Sequence, residues 1–160
     1  MQPSPQPAAA SESARRSGPP TRGDYDFFEP ITLRYADNDA NGHVNNAHYY
    51  SFFDTGVEGY LRQYNLRDVL SGTVRTLVVA SSCRYFSEVA FPGQIDIGVK
   101  ITRVGNSSIQ YDIGVFRKDG STLAAASGTF TVVCACPVSG RPVTVPEAFR
   151  HHFQATQTQT

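Results

Sequence analysis

Residues 34–50 read Arg34-Tyr35-Ala36-Asp37-Asn38-Asp39-Ala40-Asn41-Gly42-His43-Val44-Asn45-Asn46-Ala47-His48-Tyr49-Tyr50, and they concentrate carboxylates, imidazoles, amides and a glycine. The run leads from a strand pattern through a polar turn into the start of a helix. A helix start leaves backbone N–H groups without intrahelical acceptors and carries partial positive charge, so it can hold an anion or a developing oxyanion. Asp39 is expected just before it. A carboxylate facing free amides, with an electrophilic carbonyl between them, is the minimum apparatus for hydrolysing an activated acyl group. The competing reading of Asp39 is a turn residue that bonds local amides.

The neighbouring groups divide in the same way. Asp37 would share a face with Asp39 if the strand continued, and one pKa of the pair would rise; otherwise it pairs with Arg34 or is exposed. Asn45 and Asn46 suit capping of the helix and fixing of the turn that holds Asp39. His43 and His48 are five residues apart across a loop-to-helix boundary, and Cys134-x-Cys136 has no complementary pair nearby. No metal is expected. His43 is instead expected to line a pocket or donate a hydrogen bond, and Cys83, with no positioned His in its sequence context, to be a small buried side chain.

These residues need elements to position them. Ile31, Leu33 and Tyr35 alternate with Thr32 and Arg34 in the period of a first strand. From about Asn46 to Tyr64, Tyr49, Phe53, Val57, Tyr60 and Tyr64 recur at helical spacing. Gly56 and Gly59 inside that helix each cost about 1 kcal/mol relative to Ala, which suggests a helix pressed close against a sheet. The aromatics at its start, Tyr49, Tyr50, Phe52 and Phe53, fit either its core stripe or an apolar or aryl acyl pocket. A β-branched run over 73–86 follows, then a Pro92-Gly93 turn, then two alternating runs at Ile95–Ile101 and Ile109–Val115, each with one wet face. Asp119-Gly120 suits a type I′ hairpin, with the last strand running from Ser121 to Cys136. The pattern is α+β, a mainly antiparallel five-stranded sheet that curls around one long helix.

The chain has 160 residues and 40% hydrophobic content, enough for one domain with a core. Residues 1–23, rich in Pro, Ala and Ser, are expected to be a disordered tail, 24–153 the domain and 154–160 a frayed tail. Lys plus Arg equals Asp plus Glu at 14 each, so no net charge gathers nucleic acid or anionic lipid. The odd cysteine count and the lack of an apolar N-terminal run point to a cytoplasmic setting, and no apolar run reaches membrane-spanning length.

The run Arg34-Tyr35-x-Asp37-x-Asp39-x-x-Gly42-His43-Val44-Asn45-Asn46-x-x-Tyr49, with Phe52, Phe53 and Asp54 after it, resembles the hotdog-fold acyl-CoA thioesterases of the 4-hydroxybenzoyl-CoA thioesterase type. Arg84-Tyr85-Phe86 through Pro92-Gly93-Gln94, Arg103 to Ser108, and Gly140-Arg141-Pro142 extend the similarity over about residues 25–153. The resemblance implies hydrolysis of an acyl-CoA to free acid and coenzyme A, with no separate cofactor. Asp39 would be the general base or nucleophile, and the Asn46 backbone amide would polarise the carbonyl. It implies a homodimer with shared active sites, often paired into a dimer of dimers. Substrate contacts would fall among His43, Asn45, Tyr49, Ser82, Arg84, Arg103, Asn106, Ser107 and Ser108. A thioester suits a lone carboxylate, because its thiol leaving group, with a pKa near ~8.5, departs as thiolate without a strong general acid. A hydratase on the same fold and a non-catalytic acyl-CoA binding module are the alternatives.

Overall fold

Alternation puts one apolar side chain per pleat on a common face, and the two isoleucine-rich runs form the central strands of the sheet. The chain is described by a computed structural model covering residues 18–70 and 72–158. Its elements are β1 (Phe27–Thr32), α1 (His48–Gln63), a short α2 (Arg67–Leu70), β2 (Arg75–Tyr85), β3 (Gln94–Val104), β4 (Ser108–Arg117), β5 (Ala126–Ala135) and α3 (Glu147–Thr158). The strands form one sheet in the order β1-β3-β4-β5-β2, with every neighbouring pair antiparallel. This is the sheet wrapped on one long helix that the sequence pattern called for.

Helix α1 buries Tyr49, Phe52, Phe53, Tyr60 and Leu61 against the sheet. Gly56 allows the close approach. A Cβ there would lie 3.0 Å from Ile97 Cβ and 3.2 Å from Val99 Cγ2, and nearer still to Ile97 Cγ2. Strand β2 stands at one end of the sheet, and its outer edge leaves Leu77, Val78 and Val79 exposed. Its pairing with β5 shifts register between Val78 and Ala80.

Five expectations are corrected. The first strand ends at Thr32, and residues 35–37 turn as a 3-10 helix, so Asp37 and Asp39 do not share a strand face. The outer face of β3 is not wet: Asp96 and Gly98 are buried, because residues 21–28 lie across it. Arg22 pairs with Asp96 at 2.9 Å and sits over the rings of Phe28 and Phe116, so the ordered chain begins before residue 24. Residues 1–17 of the expected tail lie outside the described residues.

The Asp119-Gly120 turn has positive φ only at Gly120, and β5 begins at Ala126 rather than Ser121. The intervening residues pair instead with the N-terminal segment, through Arg22 N–H to Thr122 O at 3.1 Å and Ala124 N–H to Pro20 O at 2.8 Å. Finally, residues 154–158 continue α3 rather than fray. Phe149 of that helix is fully buried, and the Tyr60 hydroxyl and His152 Nε2 share a hydrogen bond of 2.6 Å.

Candidate active site

Asp37 anchors the loop that follows β1. Its side chain is buried and takes hydrogen bonds from Arg34 N–H (2.7 Å) and Arg34 Nη2 (2.7 Å), while its carbonyl accepts Asn45 N–H at 2.9 Å. The Arg34 guanidinium holds the Asp37 carboxyl below the usual carboxylate range, against the opposing effect of burial. Asp37 is thus the partner of Arg34 and not half of a catalytic pair. Asn38 ties the loop to the far side of the site, accepting Phe91 N–H at 3.0 Å and donating to Gly42 O at 3.2 Å.

Asp39 opens a tight reversal. Its N–H donates to His43 O at 2.8 Å, and its carbonyl accepts Gly42 N–H at 3.1 Å. Gly42, at φ 82°, supplies the left-handed conformation that closes the turn. One carboxylate oxygen, Oδ1, accepts Asn41 N–H at 2.8 Å, as expected of a turn aspartate. Its Oδ2 has no hydrogen bond from the described residues. Asp39 does not immediately precede the helix, because α1 begins at His48.

Between them, Asn45 holds the chain leading into the helix: Oδ1 accepts Ala47 N–H at 3.0 Å and its carbonyl accepts His48 N–H at 2.9 Å. The N-cap position itself is Ala47, without a side-chain cap, so neither asparagine caps the helix in the expected sense. The Asn46 N–H has no protein acceptor among the described residues. Val44 N–H to Val89 O, at 2.8 Å, draws this loop against the segment after β2.

A pocket of about 330 Å³ opens between the two segments, lined by His43, Val44, Asn46, Tyr49, Tyr85, Phe86, Ser87, Glu88 and Val89. Its volume is at the lower end of small-molecule sites. His43 Nε2 lies 3.1 Å from Glu88 Oε2 at its polar side. Burial pushes the Tyr49 hydroxyl up to about 12, which keeps it a neutral wall. Of the residues expected at the site, His43, Asn46 and Tyr49 line this pocket; Asp39 is not among its lining residues and is joined to His43 through the backbone. Asn45 shapes the turn. Phe52 and Phe53 are core, and Tyr50 is exposed and stacks on Phe130 with rings 4° from parallel.

Ser82 shares a 2.8 Å hydrogen bond with Thr129 across β2 and β5, and Arg84 sits 5.5 Å from the centre of the Phe86 ring. Cys83 is half-buried and its thiol is pushed up by burial, which does not suit a nucleophile. Arg103, Asn106, Ser107 and Ser108 lie at the other end of the sheet. Ser108 pairs with Val133 there, whereas Ala126 pairs with Tyr85 beside the pocket. That separates the groups by roughly 20 Å along β5, at ~3.3 Å per residue. The 105–108 turn is fastened to α3 by Arg150, which donates to Gly105 O at 2.9 Å and Asn106 O at 3.1 Å.

Sequence reasoning passed over Tyr85, Phe86, Ser87, Glu88 and Val89 as a pocket wall. Their signal was an aromatic pair running into polar residues at the end of a strand, but only long-range pairing brings it to residue 44.

Residues 33–153 match the model of a family described as the thioesterase-like superfamily. The crystal structure of the PA5185 protein from Pseudomonas aeruginosa strain PAO1 is similar at 45% identity, covering 86% of this chain and 95% of that one, with a TM-score of 0.78. The acyl-CoA thioester hydrolase YbgC of Escherichia coli is 22% identical over 80% of this chain and 96% of its own. The uncharacterized protein YsmA of Bacillus subtilis (strain 168) is 28% identical over 53% of this chain, a match that spans 57% of that protein.

Proposed function

Because the chain belongs to the thioesterase-like superfamily, we propose that it is an acyl-CoA thioesterase, which adds water across the C–S bond to release a free acid and coenzyme A. The observation that carries this reading is the turn from Asp39 to Asn46. Within eight residues it carries a carboxylate oxygen with no hydrogen bond from the described residues, at Asp39, and an unengaged backbone N–H on the wall of an aromatic pocket, at Asn46.

In this reading Asp39 Oδ2 takes a proton from water as it attacks the thioester carbonyl, or attacks the carbonyl itself to give a mixed anhydride. Asn46 N–H donates to the carbonyl oxygen as negative charge develops on it. The thiolate then leaves without help from a strong acid. Val44, Val89 and the rings of Tyr49, Tyr85 and Phe86 hold the acyl group. Arg84, exposed beside that wall, and Ser82 are the coenzyme A contacts nearest the pocket, with Arg103, Asn106, Ser107 and Ser108 at a second, distant location.

We also infer a homodimer, further paired as a dimer of dimers, working in the cytoplasm with its three cysteines as free thiols. The exposed apolar edge of β2 supports the dimer, since an unpaired edge of this kind recruits another strand. Among the described residues no helix is long and apolar enough to cross a membrane.

The test is Asp39→Asn, assayed by thiol release from a panel of aliphatic, branched and aromatic acyl-CoAs. Loss of about 100-fold or more in kcat is expected for removal of a group acting on the reacting atoms. Hydrolysis at the wild-type rate by a folded variant would remove Asp39 from the chemistry.

A further inference from the structure

The far wall of the pocket leaves the sheet where β2 ends, so bonds other than strand pairing have to hold it. Phe86 N–H (2.8 Å) and Ser87 N–H (3.1 Å) both donate to Ala125 O, and Val89 O accepts Val44 N–H at 2.8 Å. Between these two fastenings lies the peptide that joins Glu88 to Val89. Its carbonyl accepts a hydrogen bond from Arg117 Nη1 at 3.0 Å, and the same nitrogen donates to Ser87 Oγ at 2.8 Å.

Arg117 is the last residue of β4 and pairs with Ile95 on β3, so its backbone is fixed by the sheet. Its Nε donates to Asp119 Oδ2 at 2.7 Å, and Asp119 is held in its own turn by Ser121 N–H, which donates to Oδ1 at 3.0 Å. One side of the guanidinium is therefore anchored while the other reaches the wall. A planar guanidinium can do this because it presents donors in two fixed directions, whereas an ammonium donates from a single point. Ser87, Glu88 and Val89 line the pocket and Arg117 does not. The stretch it grips meets the loop opposite at two places, through Val89 O to Val44 N–H and through Glu88 Oε2 to His43 Nε2 at 3.1 Å.

We propose that Arg117 is a positioning residue for the acyl pocket, its guanidinium clamping the wall from Ser87 to Val89 to the end of β4 and so keeping that wall against the acyl group. Resting on the thioesterase reading, this gives a part in acyl selectivity to a side chain that lies outside the pocket lining and acts only through the wall it grips.

The test compares kcat/KM for the largest and the shortest acyl-CoA that the wild type hydrolyses, since the largest leans most on the wall. In Arg117→Gln the ratio of the two should fall about 10-fold, because the bonds to Ala125 and Val44 remain and the wall is loosened rather than lost. Arg117→Lys keeps the charge without the fork, and its ratio should fall as well. Hydrogen–deuterium exchange read by mass spectrometry should be faster in both variants over residues 86–90 and unchanged over 95–101. The melting temperature should stay within a few degrees, as the Arg117 side chain is 34% exposed. A ratio unchanged or raised in Arg117→Gln, or an equal loss on both substrates, would overturn the clamp and leave the thioesterase reading standing. A wild-type ratio in Arg117→Lys would also overturn it, reducing Arg117 to a charge, as would unchanged exchange over 86–90 or a variant that melts below the assay temperature. If the wild-type protein cleaves no thioester, the thioesterase reading falls and the clamp's part in selectivity falls with it.

Discussion

Gly56→Ala tests how closely α1 is pressed on the sheet, and two opposing magnitudes decide its outcome. In an isolated helix the substitution would be favourable by about 1 kcal/mol, through reduced backbone entropy in the unfolded chain. Here the new methyl would meet Ile97 Cβ at 3.0 Å and Val99 Cγ2 at 3.2 Å, with Ile97 Cγ2 closer still. Ile97 and Val99 are fully buried on a central strand, so neither side chain has open space to swing into. Overpacking of such a core costs typically about 1–3 kcal/mol, and the close Ile97 contact places this site at the upper end, leaving a net loss of about 2 kcal/mol. For a domain of this size that is a fall of roughly 4–8 °C in melting temperature, measurable by circular dichroism. The double variant Gly56→Ala/Ile97→Ala should be less destabilised than the sum of the two single variants, because Ile97→Ala removes the atoms that the methyl meets. A melting temperature equal to or above that of the wild type, or strict additivity in the double variant, would refute the close-approach argument.

Burial holds the His152 imidazole below its usual pKa, with Asp26 opposing the shift. A histidine depressed in the folded state contributes stability that is present above the unfolded pKa near ~6.5 and is lost as pH falls through that value toward the folded one. The melting temperature should therefore drop between about pH 7 and pH 5, and the drop should be smaller in His152→Gln; equal slopes for the two proteins would exclude His152 as the source. For the dimer, Val79→Lys places a charge on the exposed edge of β2, where it should oppose pairing with a second strand. Sedimentation should show the wild type as a dimer or larger and the variant shifted toward monomer, whereas a monomeric wild type at micromolar concentration would remove the edge-pairing idea.

The sheet was legible because Ile95, Ile97, Val99 and Ile101 and their counterparts on β4 follow a period that burial of one face enforces. The long helix was legible for the same reason, from Tyr49 through Tyr60. What failed were places where a distant partner overrode a local preference. Asp119-Gly120 has the chemistry of a two-residue hairpin, but residues 122–124 pair with 20–22, which lengthens the connection. Helix α3 is polar at its end and follows three prolines, so its spacing of Phe149 and Phe153 was obscured; the buried Phe149 and the Tyr60–His152 hydrogen bond hold it. At the site, Asp39, Gly42 and the asparagines could be read from one stretch because a turn is a local object. The far wall, Tyr85 to Val89, could not, since it lies some forty residues downstream and is joined through Val44.

The position of β2 at the end of the sheet has a consequence for inheritance of damage between subunits. If two chains join antiparallel along that edge, their ends are reversed, and the Arg75 end of one comes beside the Tyr85 end of the other. The turn from Gly105 to Ser108 lies at the Arg75 end of its own sheet, so each pocket would look toward its partner's turn. A defect at Asp39 and a defect in that turn would then sit in the same cleft when carried by different chains of a dimer, and in different clefts when carried by one chain. Mixing two such inactive proteins would gather both lesions into one cleft and leave the other whole, so that half of the sites in each mixed dimer would recover.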